Sequence, residues 1–429
     1  MTDNYINEFI LFDYMDEETA LEIIRYWNQK ISFKPREDYC KKIKLLRKNK
    51  EIIALIGVRR SGKSTLLRQE IEDLRKENDS TQMIFLNFED PRISNELTTQ
   101  TLEMLFQTYK KHYYKGGQIY IFLDEIQNII GWEKWVRTKQ EVEGINIYVT
   151  GSSSKLLSQE LATVLTGRSV TLQILPLSFK EFKEFRTTGK PLTEKQLFKL
   201  FLEEGGFPKV ALIEKEAKIK ELQQYFESIL LKDVVARYNL KNSYNLQQVA
   251  LFLVSNSTKL YSANKIKNML KISLETALNY VQYLKEAQLF FELKKYDSSL
   301  KTQENSQKKI YCVDTGILHA TAFKISKDKG RILENAVFIE LKRQELEIYY
   351  HRDKNECDFV IKERERITQA VQVCYELNKE NKDREIKGLK EAMEQHQLNE
   401  GLLLTNNQEE TIKLGTKKII VKPVWKWLN

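Results

Sequence analysis

The stretch IIALIGVRRSGKSTLL, residues 52–67, decides the fold. Its first five residues are uninterruptedly apolar, the pattern of a strand buried on both faces. Gly57 and Gly62-Lys63-Ser64 then match the spacing G-x-x-x-x-G-K-S, and a helix-forming run, STLLRQEIEDLRKEN, follows. Strand, glycine loop and helix together are the context in which this spacing wraps phosphates. The glycines let the backbone approach closely, and the loop N–H groups and the helix N-terminus supply positive potential. Lys63 is expected to reach the β- and γ-phosphates of ATP, and the Ser64 hydroxyl to ligate Mg²⁺. Val58, Arg59, Arg60 and Ser61 between the two glycines, and Thr65 just after, complete the expected cradle.

Working outward, strand and helix patterns alternate through QMIFLNFED, TLEMLFQTYKKHYY, QIYIFLDEIQ, INIYVTGSSS and SVTLQILPLSF. Such alternation predicts an α/β domain with a parallel sheet and helices on both faces. The third of these strands ends in Asp124 and Glu125. A buried strand there delivers two carboxylates to the sheet edge where α/β folds bind ligands. Asp124 suits the magnesium shell, and Glu125 suits a general base that orients water for hydrolysis. The next strand ends in VTGSSS, where Ser152, or Thr150 as runner-up, is placed to sense the γ-phosphate; ordinary turn chemistry is the alternative. Arg168 follows a glycine in a helix–strand connection. An arginine there either completes a neighbouring subunit's site or makes a surface salt bridge worth little.

Composition sets the outer bounds. The chain has 429 residues, 30% of them charged and 41% hydrophobic, enough for several soluble domains. No apolar run approaches the roughly 20 residues of a membrane helix. The first residues, MTDNYINEFILFDYMDEE, are acidic where a signal peptide is basic, so a cytoplasmic location without membrane attachment is expected. Cys40, Cys312, Cys357 and Cys374 are scattered and the four histidines lack metal spacing, which argues against structural zinc or a disulfide framework. A net charge of +9 permits a polyanionic partner such as DNA.

Beyond the phosphate-binding core, YSANKIKNMLKISLETALNYVQYLKEAQLFFELKKYD reads as helix, turn, helix and strand. Ser273 is a predicted N-cap, and Leu274, Ala277, Leu278, Val281 and Leu284 form a predicted apolar face. With the later KKIYCVD as a second strand, this is a winged helix-turn-helix. Its second helix would offer Asn279, Gln282 and Lys285 outward, with Lys265, Lys267 and Lys271 nearby and Lys294, Lys295 and Lys301 in the wing. Phosphate contact with DNA is one use of such a module and protein–protein contact is the other.

Several segments in one order carry a family resemblance. IALIGVRRSGKSTLLRQ, FLNFEDPRI, IYIFLDEIQNIIGWEKWVR, IYVTGSSSKLLSQELATVLTGRSVTLQILPLSFKEF, EEGGFPKV, YFESILLKDVVARYNL, YCVDTGIL and LENAVFIELKR resemble the AAA-type ATPases that carry a C-terminal DUF4143 domain. The resemblance covers nearly all of the chain from about residue 36. It implies ATP and Mg²⁺ as cofactors, Arg168 in the TGR element as an arginine finger, and homo-oligomers or rings. The last hundred residues resemble a restriction-endonuclease-like fold, whose active members gather Mg²⁺ on a helix glutamate, a strand aspartate and a Glu-x-Lys on the next strand. Glu334 and Glu356-x-Asp358 match the first parts. Gln372 and Cys374 stand where the Glu-x-Lys should be, which argues against cleavage unless Lys387 or a nearby lysine takes over. The expected parts are an N-terminal helical segment (1–44), a P-loop core (45–180), a helical lid (181–244), a winged helix-turn-helix (245–325) and the endonuclease-like domain (326–429). The expected activity is ATP hydrolysis coupled to DNA. A nucleotide-switched assembly protein with a protein partner is the second reading, and an ATP-gated nuclease the third.

Overall fold

The computed structural model of the chain describes residues 15–93, 97–152, 167–186, 191–321 and 328–429. The described residues fall into two compact units. The first takes those up to Ile56, those from Lys63 to Gly151, and those from 167 to Leu172. The second takes Gly57–Gly62, Ser152 and everything from Gln173 onward.

The first unit is built on five strands: β1 (Ile52–Ile56), β2 (Met83–Asn87), β3 (Tyr120–Asp124), β4 (Asn146–Gly151) and β5 (Ser169–Gln173), whose last residue is counted with the second unit. Their order is β2-β3-β4-β1-β5. The pairs β2–β3, β3–β4 and β1–β4 are parallel. Every residue of β1 and β2 is buried, as a strand covered on both faces requires. Its helices are α1 (Glu17–Trp27), α2 (Glu37–Leu46), α3 (Lys63–Leu74), α4 (Thr99–His112) and α5 (Trp132–Glu143). Helix α1 starts where the Asp16 carboxylate accepts from the Thr19 N–H, and it buries Ala20, Ile23 and Ile24. Because the strands are parallel, the ends of β1, β3 and β4 share one edge. There Ile56 lies opposite Gly151, and Asn87 opposite Asp124.

The second unit opens with helices α6 (Phe179–Phe185), α7 (Glu194–Glu204), α8 (Pro208–Leu212) and α9 (Lys215–Ser228). A π-helical turn follows over Ile229–Val235, and then come α10 (Ser243–Ser255), α11 (Ala263–Leu270) and α12 (Leu274–Glu286). Strands β6 (Phe290–Leu293) and β7 (Lys309–Cys312) pair antiparallel, with the short helix α13 (Leu300–Asn305) between them. Ser273 caps α12 by accepting from the Thr276 N–H at 2.9 Å. The buried stripe of α12 is Ala277, Tyr280, Val281 and Leu284. Leu274 and Leu278, expected inside, are 39% and 51% exposed, because Tyr280 at the i+3 position from Ala277 takes the core side.

After α14 (Thr315–Thr321) and α15 (Lys329–Arg343), the chain builds a mixed sheet of β8 (Glu347–Arg352), β9 (Glu356–Glu363), β10 (Arg366–Val373), β11 (Glu400–Thr405), β12 (Glu410–Leu414) and β13 (Lys417–Pro423). Helix α16 (Lys382–Gln395) crosses between β10 and β11, and α17 (Val424–Trp427) ends the chain. The strand order is β12-β13-β11-β10-β9-β8. Leu333, Val337 and Phe338 of α15 pack with Phe359 and Ile361. Leu389, Ala392 and Met393 of α16 pack with Val360 and Ala370. Among the described residues no helix is long and apolar enough to cross a membrane.

Helix α16 comes so close to β9 that a Cβ on Gly388 would lie 2.0 Å from the Glu356 carbonyl oxygen. Gly388→Ala is therefore expected to cost about 1–3 kcal/mol, the usual range for overpacking, read as a lower urea midpoint of the full chain.

Candidate nucleotide-binding site

In the first unit the chemistry gathers at Asp124, which is fully buried at the end of β3. A carboxylate there is costly unless donors surround it. Three supply hydrogen bonds. Ser64 at the start of α3 donates to Oδ1 at 2.9 Å. Thr150 near the end of β4 donates to the same oxygen at 2.6 Å. Asn87 at the end of β2 donates from Nδ2 to Oδ2 at 2.7 Å. Burial first, and then the Glu125 carboxylate, push the Asp124 acid up to about 6. Ser64 and Asp124 form an adjacent pair of hard oxygen donors, the donor chemistry that Mg²⁺ prefers.

Glu125 adopts a left-handed backbone, φ 54°, which a non-glycine residue takes only under constraint, at a cost of about 1–3 kcal/mol. Its N–H donates to Thr150 Oγ1 at 3.0 Å, which helps to hold that turn. The side chain is left with Oε1 3.7 Å from Lys63 Nζ and Oε2 accepting from Gln127 at 2.6 Å. Both Lys63 and Glu125 are buried. Arg168 lies just before β5, paired through its guanidinium with Glu141 of α5 and partly exposed. Its carbonyl accepts from the Ile52 N–H at 2.9 Å.

The loop residues 57–62 make their own contacts within the second unit. Gly57 is required because a Cβ would lie 2.2 Å from the Ile174 carbonyl oxygen. Val58 is buried in the helical core. Arg60 lies over the Tyr225 ring, 5.8 Å from its centroid. The Arg59 guanidinium grips Asp233 with two bonds, Nε to Oδ2 at 3.0 Å and Nη2 to Oδ1 at 3.1 Å. Asp233 is buried in the π-helical turn, a distortion that is frequent at functional sites. Ser152 belongs to this group. Its hydroxyl donates to Asp233 Oδ1 at 2.8 Å, and Arg237 Nη2 is 3.5 Å from it. Thus Thr150, the runner-up, is bonded to Asp124, while Ser152 is bonded to Asp233.

The polar residues of α11, α12 and the β6–β7 segment are less available than their sequence positions suggest. Lys285 is paired with Glu292 at 2.6 Å, Lys294 with Glu304, and Gln282 donates to Glu286. Lys265, Lys267, Lys271, Asn279 and Lys301 are exposed. So are Met269, Leu274 and Leu278 on the same two helices.

The C-terminal acids converge on a residue that the sequence reading passed over. Lys309 of β7 reaches Glu356 at 2.8 Å, Asp358 at 3.0 Å and Glu334 at 3.3 Å. Tyr311 donates to Glu334 at 2.7 Å. Gln372 accepts from the Asp358 N–H and donates to Glu385. Cys374 faces the Glu376 carbonyl, and Lys387 is exposed on α16. The lysine that joins the acids is therefore Lys309 of β7.

Three family models tile the chain: an AAA domain over residues 49–183, the domain of unknown function DUF8612 over 195–329, and the domain of unknown function DUF4143 over 329–427. An uncharacterized protein of Methanocaldococcus jannaschii, MJ1544, is 37% identical over 402 residues, covering 88% of each chain. An uncharacterized protein of Haemophilus influenzae is 34% identical over 351 residues, covering 80% of this chain and 87% of that protein. The chain belongs to this AAA–DUF4143 family. Among solved structures, the Saccharomyces cerevisiae Hsp104-ADP complex matches at TM-score 0.32 and 14% identity, over 76% of this chain and 46% of that one. The Bacillus subtilis DNA clamp loader delta protein matches at TM-score 0.26 and 13% identity, over 58% and 90%. Likenesses this slight carry no argument.

In this AAA–DUF4143 protein the residues missed from sequence are Asn87, Asp233, Arg237 and Lys309. The polar end of FLNFED was a usable signal for Asn87, since it ends the strand beside β3. Two stability changes separate the two polar clusters. Thr150→Val removes one donor from the buried Asp124 carboxylate and the hydroxyl that accepts from the Glu125 N–H, at an expected cost of about 1–3 kcal/mol. Asp233→Ala removes the buried carboxylate that holds both the Arg59 guanidinium and the Ser152 hydroxyl, at an expected cost of about 3–5 kcal/mol for breaking a buried ion pair. Urea unfolding of each full-length variant checks both.

Proposed function

We propose that this AAA–DUF4143 protein binds ATP with Mg²⁺ and hydrolyses it. The observation that carries the reading is the constellation at the end of β3. Ser64 and Asp124 are 2.9 Å apart, and Glu125 is turned to within 3.7 Å of Lys63. In this reading Gly57 to Thr65 cradle the phosphates and Lys63 binds the β- and γ-phosphates. Ser64 and Asp124 hold the metal, which supplies neutralisation of phosphate charge when bound. Glu125 takes the proton of the attacking water, while Thr150 fixes the turn that aims it. Ser152, tied to Asp233, is the candidate γ-phosphate sensor. Arg168 acts in trans as a finger in a homo-oligomer. Its bond to Glu141 is a partly exposed pair, cheap to break.

The turnover is proposed to drive DNA binding or remodelling through the helix-turn-helix and the C-terminal domain. Exposed Lys265, Lys267, Lys271 and Lys301 support phosphate contact there. A specific observation favours the second reading, a protein partner: Met269, Leu274 and Leu278 are exposed on α11 and α12, and Lys285 is already paired.

Glu125→Gln is expected to lower ATP turnover by about 100-fold or more, the range of a lost general base, while ATP binding survives. Hydrolysis that persisted in this variant would reject the carboxylate assignment. Turnover of the wild type, measured with single-stranded, duplex and branched DNA at low and moderate salt, tests the coupling. Stimulation that fades with salt is the expected result for a phosphate track. Steady basal turnover indifferent to every DNA would leave the protein-partner reading.

A further inference from the structure

The endonuclease-like layout of the last hundred residues implies a divalent cation among Glu334, Glu356 and Asp358. The residues present do not fit one. The space those carboxylates share already holds the Lys309 ammonium, 2.8–3.3 Å from an oxygen of each. Mg²⁺ bound there would need the same oxygens at about 2.0–2.1 Å, and the buried lysine stands in the way. The remaining acceptor capacity is largely committed. The second Asp358 oxygen accepts from the Val373 N–H at 3.0 Å, and the Glu334 oxygen facing Lys309 also accepts from Tyr311. Gln372, at the position of the missing acid, turns its amide to Glu385 and to the Asp358 N–H.

We infer that Lys309 is the resident cation of this cluster, standing where a divalent metal would sit, and that the cluster joins the wing to the C-terminal domain. Charge supports it. An ammonium with its side chain 3% exposed needs compensation, and the three carboxylates supply it with Arg352 near the outer one. An ammonium offers three donors, and there are three carboxylate partners. Topology supports it as well. Lys309 and Tyr311 belong to β7 of the wing, whereas Glu334 belongs to α15, and Glu356 and Asp358 to β9. Further contacts cross the same junction. Tyr311 stacks on Phe338 with centroids 4.0 Å apart. The Tyr350 N–H donates to the Lys294 carbonyl at 3.0 Å, and the Tyr296 N–H donates to the Tyr350 carbonyl at 2.8 Å. Wing and mixed sheet are therefore stitched by backbone bonds at one edge and by a buried ion cluster beside it. This inference is independent of the ATPase reading.

The test is site-mapped metal binding. The full-length protein is incubated with Fe²⁺, ascorbate and oxygen, so that radicals cut the backbone next to any bound iron, and fragments are mapped by mass spectrometry. The wild type is expected to show no cuts around 334 or 356–358. Lys309→Met and Lys309→Gln are expected to gain cuts there, and adding Asp358→Asn should remove them. The gained site should also raise the unfolding temperature of Lys309→Met by several degrees with Mn²⁺. Cuts around 334 or 356–358 in the wild type would overturn the inference, because the cluster would then be open to metal. A folded Lys309→Met or Lys309→Gln chain that gained neither cuts nor Mn²⁺ stabilisation would overturn it too. Should one variant not fold, the other and the wild type still decide.

Discussion

A carboxylate sealed at the end of a buried strand must be met by donors, and Asp124 draws its donors from three different elements. Asn87 comes from β2, Thr150 from β4 and Ser64 from α3. The first two can reach it only because β2 and β4 flank β3. The register Asn87 opposite Asp124 is equally necessary, since a slip of one residue turns a side chain to the other face. Sheet order and site chemistry are thus one constraint. The same constraint bears on Glu125, whose left-handed backbone is held partly by the Thr150 hydroxyl that also serves Asp124.

Much of this was legible where the information is local. The strand–loop–helix at 52–67, the apolar strand ending in two acids, and the Ser273 cap depend on neighbours within a few residues. What was not legible depends on partners far along the chain. Asn87 and Asp124 are 37 residues apart, Lys309 and Asp358 are 49 apart, and Arg59 and Asp233 are 174 apart. Arg59 reads as a phosphate contact by position alone, and nothing near it announces a bidentate carboxylate. Lys309 draws no notice in the sequence, because the pattern KKIYC gives no sign that one of its two lysines is turned into the protein. The α12 face was misread by one step for the same reason: with Tyr280 admitted, the buried stripe is defined by packing rather than by the most apolar residues.

The buried cations also change what the net charge means. A surplus of +9 is an argument for a polyanionic partner only to the extent that the charges face solvent. Lys63 and Lys309 are buried beside carboxylates, and Arg59 is nearly so. Lys285 and Lys294 are paired on the surface that a nucleic acid would approach. Near that surface Lys265, Lys267 and Lys271 remain exposed, interleaved in sequence with Met269 and followed by Leu274 and Leu278. Phosphate contact uses the ammonium groups and gains nothing from exposed methyl and methylene groups, which are instead favoured at the centre of protein interfaces. The region is as apolar as it is basic. Charge counting therefore cannot rank the two readings of this surface; the salt dependence of coupling can, because only the phosphate contacts release counterions.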